Sequence, residues 1–123
     1  MKMIFLKEGT KDLTIVNVGG SVVRLDDYYK LLECECIDMP NLDCPSINSY
    51  CMICDDSGLL NDRKITYRHG YQAIAGSILF TKVNNCGECI DLDNHDIGFL
   101  MNFIKYVLSN MYSDDTYMEG FIL

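Results

Sequence analysis

Short apolar runs with β-type alternation fill most of the chain, and only near its end does the pattern change to a long helical period. Residues 3–6 and 13–18 are β-prone and separated by Lys7-Glu8-Gly9-Thr10-Lys11-Asp12, which predicts an opening hairpin closed off by Gly19-Gly20. Leu25, Tyr28, Tyr29 and Leu32 recur at helical spacing and predict a short helix near 25–33. Residues 34–39 read as a strand ending at Pro40, residues 40–46 as a loop, and residues 47–54 as a further strand. Asp55-Asp56-Ser57-Gly58 is a turn signal, and residues 59–71 read as irregular and basic. Residues 72–83 return to strand character with Gly76 in the middle, the usual mark of a bulge or a close backbone approach. Asn84-Asn85-Cys86-Gly87 then turns the chain into a last strand over 88–92.

The final element is the clearest. Asp93, with Asp96 three residues on, predicts a capped helix start. Ile97, Leu100, Met101, Ile104, Val107, Leu108 and Met111 form one apolar stripe at i, i+3, i+4, i+7 spacing. Phe99, Phe103 and Tyr106 fall outside it, so a second face is also apolar, from deep burial or from a subunit contact. The expected fold is α+β: an antiparallel or mixed sheet of about five or six strands, with a C-terminal amphipathic helix packed on it. Residues 1–112 form a single domain on this reading. Residues 113–123, carrying Tyr117, Met118, Phe121, Ile122 and Leu123, form a tail that docks on its own domain or on a neighbouring subunit.

Charge adds a second pattern. The chain has 18 Asp+Glu and 10 Lys+Arg, yet residues 63–87 contain no carboxylate and hold Arg63, Lys64, Arg68 and Lys82. That window carries +4, and the rest sets six cations against all 18 carboxylates. A cationic patch on an acidic body steers a small anion to one place while repelling nucleic acid elsewhere. Arg63 and Arg68 are two of three arginines, and a guanidinium fork matches phosphate oxygens in two-point geometry. Tyr67 and Tyr71 bracket Arg68-His69-Gly70, placing flat rings beside the charge for stacking on a base. The candidate ligand-binding set is Asn61, Arg63, Lys64, Tyr67, Arg68, His69, Tyr71 and Lys82. The plainer alternative is a solvated basic loop in which Asn61 makes a turn and Arg63 pairs with a nearby carboxylate.

Seven cysteines in a chain with no signal-peptide pattern argue for free thiols in a reducing cytoplasm rather than a disulfide framework. Cys51-Met-Ile-Cys54 and Cys86-Gly-Glu-Cys89 admit the alternative of a four-thiolate zinc site. Against it, Cys51 and Cys54 lie in a predicted strand, where positions three apart face opposite sides. No metal and no cofactor are therefore expected. With two histidines, His69 and His95, and no nucleophile, metal or phosphate-loop motif, catalysis is not expected either. No run of eighteen apolar residues is present to span a membrane.

Leu59-Leu60-Asn61-Asp62-Arg63, then Ile74-Ala75-Gly76-Ser77-Ile78-Leu79-Phe80, and Ile90-Asp91-Leu92-Asp93-Asn94-His95-Asp96-Ile97 together resemble an uncharacterised domain-of-unknown-function family of small bacterial and phage or mobile-element proteins. Its pattern is an Asn-x-Arg-like element, an Ile-x-Gly strand and a Leu-[ST]-Asp-[DE] opening of a final helix. The resemblance spans most of residues 1–105. It excludes the tail, omits the cysteine pairs and implies no established biochemical role. A small phage-type protein that binds without cleaving suggests sequestration of a nucleotide-type immune signal, such as a cyclic nucleotide or an ADP-ribose derivative, by a homo-oligomer. A different class of reading is an acidic, DNA-mimic-like inhibitor of a nucleic-acid-binding defence enzyme, presenting Asp26-Asp27, Asp55-Asp56, Asp91-Asp93-Asp96 and Asp114-Asp115. Neither reading involves a membrane or direct nucleic-acid binding.

Overall fold

Each apolar run becomes a strand wherever a partner completes its backbone hydrogen bonds. In the computed structural model, which describes residues 1–20 and 23–111, β1 (Lys2–Leu6) and β2 (Leu13–Asn17) form the expected opening hairpin. Next comes α1 (Leu25–Leu32), its first turn closed by the Asp27 carboxylate accepting the Arg24 N–H at 2.9 Å. β3 (Ile37–Asp38), β4 (Ser49–Asp55), β5 (Ile65–His69), β6 (Gln72–Ala75), β7 (Ile78–Val83), β8 (Cys89–Ile90) and α2 (Asn94–Ser109) complete the described chain. The larger sheet has the order β2-β1-β7-β4-β3, with β8 also paired to β7, and every pairing is antiparallel. The fold is α+β, as expected.

Strand alternation gives this sheet two apolar faces. Met3, Val18, Ile53 and Leu79 pack with Tyr28 and Leu32 of α1. Ile4, Leu6, Met52, Ile78 and Phe80 pack with Leu100, Ile104, Val107 and Leu108 of α2, four members of the expected stripe. The same core takes in Tyr67 of β5, so the β5–β6 hairpin lies on the α2 side. Asp93 caps α2 as expected: its carboxylate accepts the Asp96 N–H at 2.8 Å, and Asp96 accepts the Asp93 N–H at 3.0 Å.

Four expectations need correction. Residues 59–71 are not irregular throughout, because β5 pairs with β6 in a separate two-stranded sheet. Residues 72–83 are not one strand. Gly76 takes φ +88°, which leads the chain out of one sheet and into the other. A Cβ at that position would lie 2.8 Å from Arg63 Cδ, so the close-approach reading of this glycine is right. Only Ile37–Asp38 of the strand expected over 34–39 forms a ladder, since Glu33 ends α1 in the left-handed region at φ 54° and turns the next residues away. The last strand shrinks to Cys89–Ile90. The tail lies outside the described residues.

Candidate functional site

The cationic window is distributed along the fold. Its first part is a clasp. The Arg63 Nε lies 2.8 Å from Asp55 Oδ2, its Nη1 donates to Glu8 Oε1 at 3.3 Å, and its Nη2 donates to the Glu33 carbonyl. Glu8 also accepts the Lys64 N–H at 3.0 Å, and the Asn61 amide reaches Asp55 Oδ2 at 3.4 Å. The plainer expectation for Arg63, a pairing with nearby carboxylate, therefore describes the structure, with Asp55 and Glu8 as partners. One guanidinium joins the β1–β2 turn, the end of α1, the end of β4 and the approach to β5.

The second part is the β5–β6 hairpin. His69 and Gln72 end its ladder, leaving Gly70-Tyr71 as a two-residue turn with Gly70 at φ +57°, the geometry of a type II′ hairpin. Tyr71 at the apex is fully exposed, at 108 % of its reference area. Tyr67, four residues earlier, is at 0 % and meets Phe80 edge-on at 6.0 Å. Burial pushes its phenol pKa up, and its ring is part of the core, so it presents no face for a ligand to stack on. Arg68 and His69 come next on the strand and project to opposite faces of the hairpin. His69 lies edge-on to Phe103 at 5.6 Å.

Phe103 in turn stacks on Phe99 at 6.1 Å, and Phe99 on Tyr50 at 5.7 Å, so a run of rings links the hairpin to the third part of the window. There Lys82 Nζ lies 3.2 Å from Asp96 Oδ1 and donates to Oδ2 at 3.3 Å, while the Tyr50 hydroxyl donates to Oδ1 at 2.7 Å. Burial and the Asp96 hydrogen bond push the Tyr50 phenol up to about 12. Burial also acts to raise the pKa of Asp96, but hydrogen bonds from Tyr50, the Asp93 N–H and Lys82 outweigh it and hold the carboxyl below its ordinary value. A carboxylate depressed on folding stabilises the fold above its unfolded pKa, near about 3.9, and that stability is lost as pH falls through the folded value. Denaturant midpoints taken on the acid side should therefore fall more steeply for the parent than for Asp96→Asn. Equal acid limbs would show that this carboxylate gains nothing on folding.

Tyr50, Asp96, Phe99 and Phe103 were not among the candidate site residues. For Asp96 the capping spacing was the available signal, but its pairing with β7 was not. Arg63, Lys64 and Asn61 gather at the clasp, and Arg68, His69 and Tyr71 at the hairpin turn. Lys82 is separated from both, and the eight residues do not converge on one point.

The four-thiolate zinc alternative is corrected by the sheet. Cys51 opposes Thr81 on the α1 face, whereas Cys54 opposes Ile78 on the α2 face and its thiol reaches the Asp38 carbonyl at 3.8 Å. Among the described residues no group of three or more His, Cys, Asp or Glu side chains is placed to hold a metal ion. Cys51 and Cys89, one from each motif, share the α1 face on the two strands that flank β7.

Among the described residues no helix is long and apolar enough to cross a membrane. No curated protein and no solved structure matches this chain. The profile of one family does match, described only as a domain of unknown function, DUF3846, and it covers residues 1–105. That span includes the clasp, the hairpin and most of α2, which bears out the resemblance drawn from the short motifs: the chain belongs to the DUF3846 family.

Proposed function

We propose that this protein is a non-catalytic binding protein that sequesters a small phosphorylated ligand bearing an aromatic base, with the β5–β6 hairpin as its contact point. The observation that carries this reading is Tyr71, a fully exposed ring on a two-residue turn of defined geometry, with Arg68 on the adjoining strand. An aromatic side chain held by a short hairpin loses little conformational freedom on binding, and stacking is tolerant of base identity. Arg68 supplies the charge for phosphate. In a phage or mobile element such a protein would counter host defence by withdrawing a cyclic-nucleotide or ADP-ribose-type signal. A homo-oligomer with the hairpin at a subunit boundary suits this role.

Thermal-shift screening with cyclic nucleotides and ADP-ribose tests the proposal. A ligand at a hundred times its dissociation constant should add about 2.7 kcal/mol of stability and be recovered chemically unchanged. Tyr71→Ala should weaken its binding by about 1–3 kcal/mol while leaving the melting temperature of the unliganded protein in place. No stabilising ligand, or full affinity in Tyr71→Ala, would overturn the reading.

The acidic-inhibitor reading draws on a different observation. Arg63 and Lys82 are neutralised within the fold by Asp55, Glu8 and Asp96, while Asp26, Asp56, Asp91 and Asp93 are exposed. It predicts salt-sensitive binding to a basic nucleic-acid-binding enzyme, lost on reversing Asp26 and Asp56 and unaffected by Tyr71→Ala.

A further inference from the structure

The two ends of the large sheet are built differently. β3, at one end, has two residues, one of them Asp38, with Pro40 just beyond. Short length, charge and proline are the usual means of closing a sheet edge to another chain. β2, at the other end, has none of them. Leu13-Thr14-Ile15-Val16-Asn17 carries no charge, no proline and no glycine, and it pairs with β1 without a bulge. Ile15, opposite Ile4 on the α2 face, is 49 % exposed, and Thr14 is exposed on the α1 face. Neither helix overhangs the strand.

The backbone groups on the outer side of β2 follow from its pairing. Met1 and Val18 exchange both bonds, the Val18 N–H donating to the Met1 carbonyl at 2.8 Å and the Met1 amine to the Val18 carbonyl at 3.0 Å. Bonded and non-bonded pairs alternate along an antiparallel ladder. Val16 and Thr14 are therefore bonded to β1, while Leu13, Ile15 and Asn17 turn their N–H and C=O outward. β1 agrees: Lys2, opposite Asn17, uses its own groups on its far side, toward the Asp91 carboxylate and the Leu92 N–H. Among the described residues the outward groups of β2 have no hydrogen-bond partner.

We propose that β2 pairs edge to edge with β2 of a second copy of this chain, antiparallel, about a two-fold axis at Ile15. Setting Ile15 opposite the partner's Ile15 puts Leu13 opposite the partner's Asn17. All of these positions face outward, so each pair exchanges both bonds. It is the one register in which all three residues find partners within the strand, and it is self-complementary, as a two-fold contact requires. The two Ile15 side chains meet on the α2 face and cover each other. Alternation carried one residue past the ladder sets Asp12 opposite the partner's Val18, on the α1 face. There a hollow of about 360 Å³ is lined by Val18, Gly19, Asp27 and Lys30. The Asp27 carboxylate is engaged by the Arg24 N–H, which leaves Lys30 as the cation for the incoming Asp12. This interface uses neither Tyr71 nor Arg68 and does not rest on the ligand reading.

The test uses the full chain. Sedimentation across a micromolar concentration series should show a monomer–dimer equilibrium. Ile15→Lys should weaken it at least roughly tenfold, by removing two isoleucine contacts and bringing like charges together, while the variant still melts cooperatively. Asp12→Lys should weaken it roughly fivefold, and adding Lys30→Asp should restore it. In the parent dimer the amides of Leu13, Ile15 and Asn17 should exchange with deuterium as slowly as those of Thr14 and Val16, and faster on dilution. Four results would overturn the proposal: a monomer throughout the series, a dimer unchanged by Ile15→Lys or by Asp12→Lys, rapid exchange at the three outward amides, or protection that persists in a monomer and disappears when residues 113–123 are removed. The last would mean that the tail covers this edge. The exchange pattern of the parent decides the matter even if a variant fails to fold.

Discussion

Ile104→Asp is expected to abolish cooperative folding. Ile104 is fully buried in the core shared by α2, the large sheet and the β5–β6 hairpin. Removing its side chain alone would cost about 2–5 kcal/mol in lost burial and cavity formation. Aspartate adds an ionised group with no cation among the apolar residues around it, and desolvating that charge costs several more. The sum is comparable to the whole stability of a domain this size, about 5–15 kcal/mol. Circular dichroism should show no cooperative melt, whereas Ile104→Val should melt cooperatively with a loss of only about 0.5–1.5 kcal/mol. A variant carrying aspartate that melted like the parent would mean α2 does not pack through this stripe.

Arg63→Ala carries the next largest effect, and the structure changes its meaning. From the sequence, Arg63 belonged to a ligand site, so its loss would weaken binding and leave the fold intact. In the structure its guanidinium sits against Asp55, whose side chain is 4 % exposed, and bonds to Glu8 and to the end of α1. Truncation strands a buried carboxylate that retains only the Ser57 N–H and the Asn61 amide. Breaking a buried pair from one side costs about 3–5 kcal/mol, and the partial exposure of Arg63 puts the expected loss near about 3 kcal/mol. Urea titration should show it as a lower midpoint. In the double variant with Asp55→Ala, part of the loss should return, because the stranded charge is gone. A stability unchanged within about 0.5 kcal/mol would show that the clasp contributes nothing, and would return Arg63 to the candidate ligand set.

The sequence by itself determined the elements whose signals are local. The opening hairpin follows from two β-prone runs around a polar turn. α1 follows from Leu25, Tyr28 and Leu32 at helical spacing. α2 follows from the Asp93–Asp96 cap and a stripe whose period is independent of the surface it packs against. Gly76 was legible as a special position, but not whether a bulge or a close backbone approach applied, since the crowding Arg63 side chain that decides it comes from a neighbouring segment. Tertiary structure decided the rest. Ile65-Thr66-Tyr67-Arg68-His69 reads as a basic loop until β6 pairs with it, at which point alternation puts Tyr67 in the core and leaves the turn residue Tyr71 outside. Two tyrosines four residues apart had equal standing in the sequence, and the pairing separates them by their whole exposed area. The four cations of the window are neighbours in a carboxylate-free segment, yet the carboxylates that neutralise Arg63 and Lys82 come from β1–β2, β4 and α2. Cys51 and Cys89 come to one face of the sheet only because β4 and β8 flank the same strand. Charge and polarity along a chain report composition, whereas the partner of each charge depends on which distant strands share a register, and that is set by packing the whole core at once.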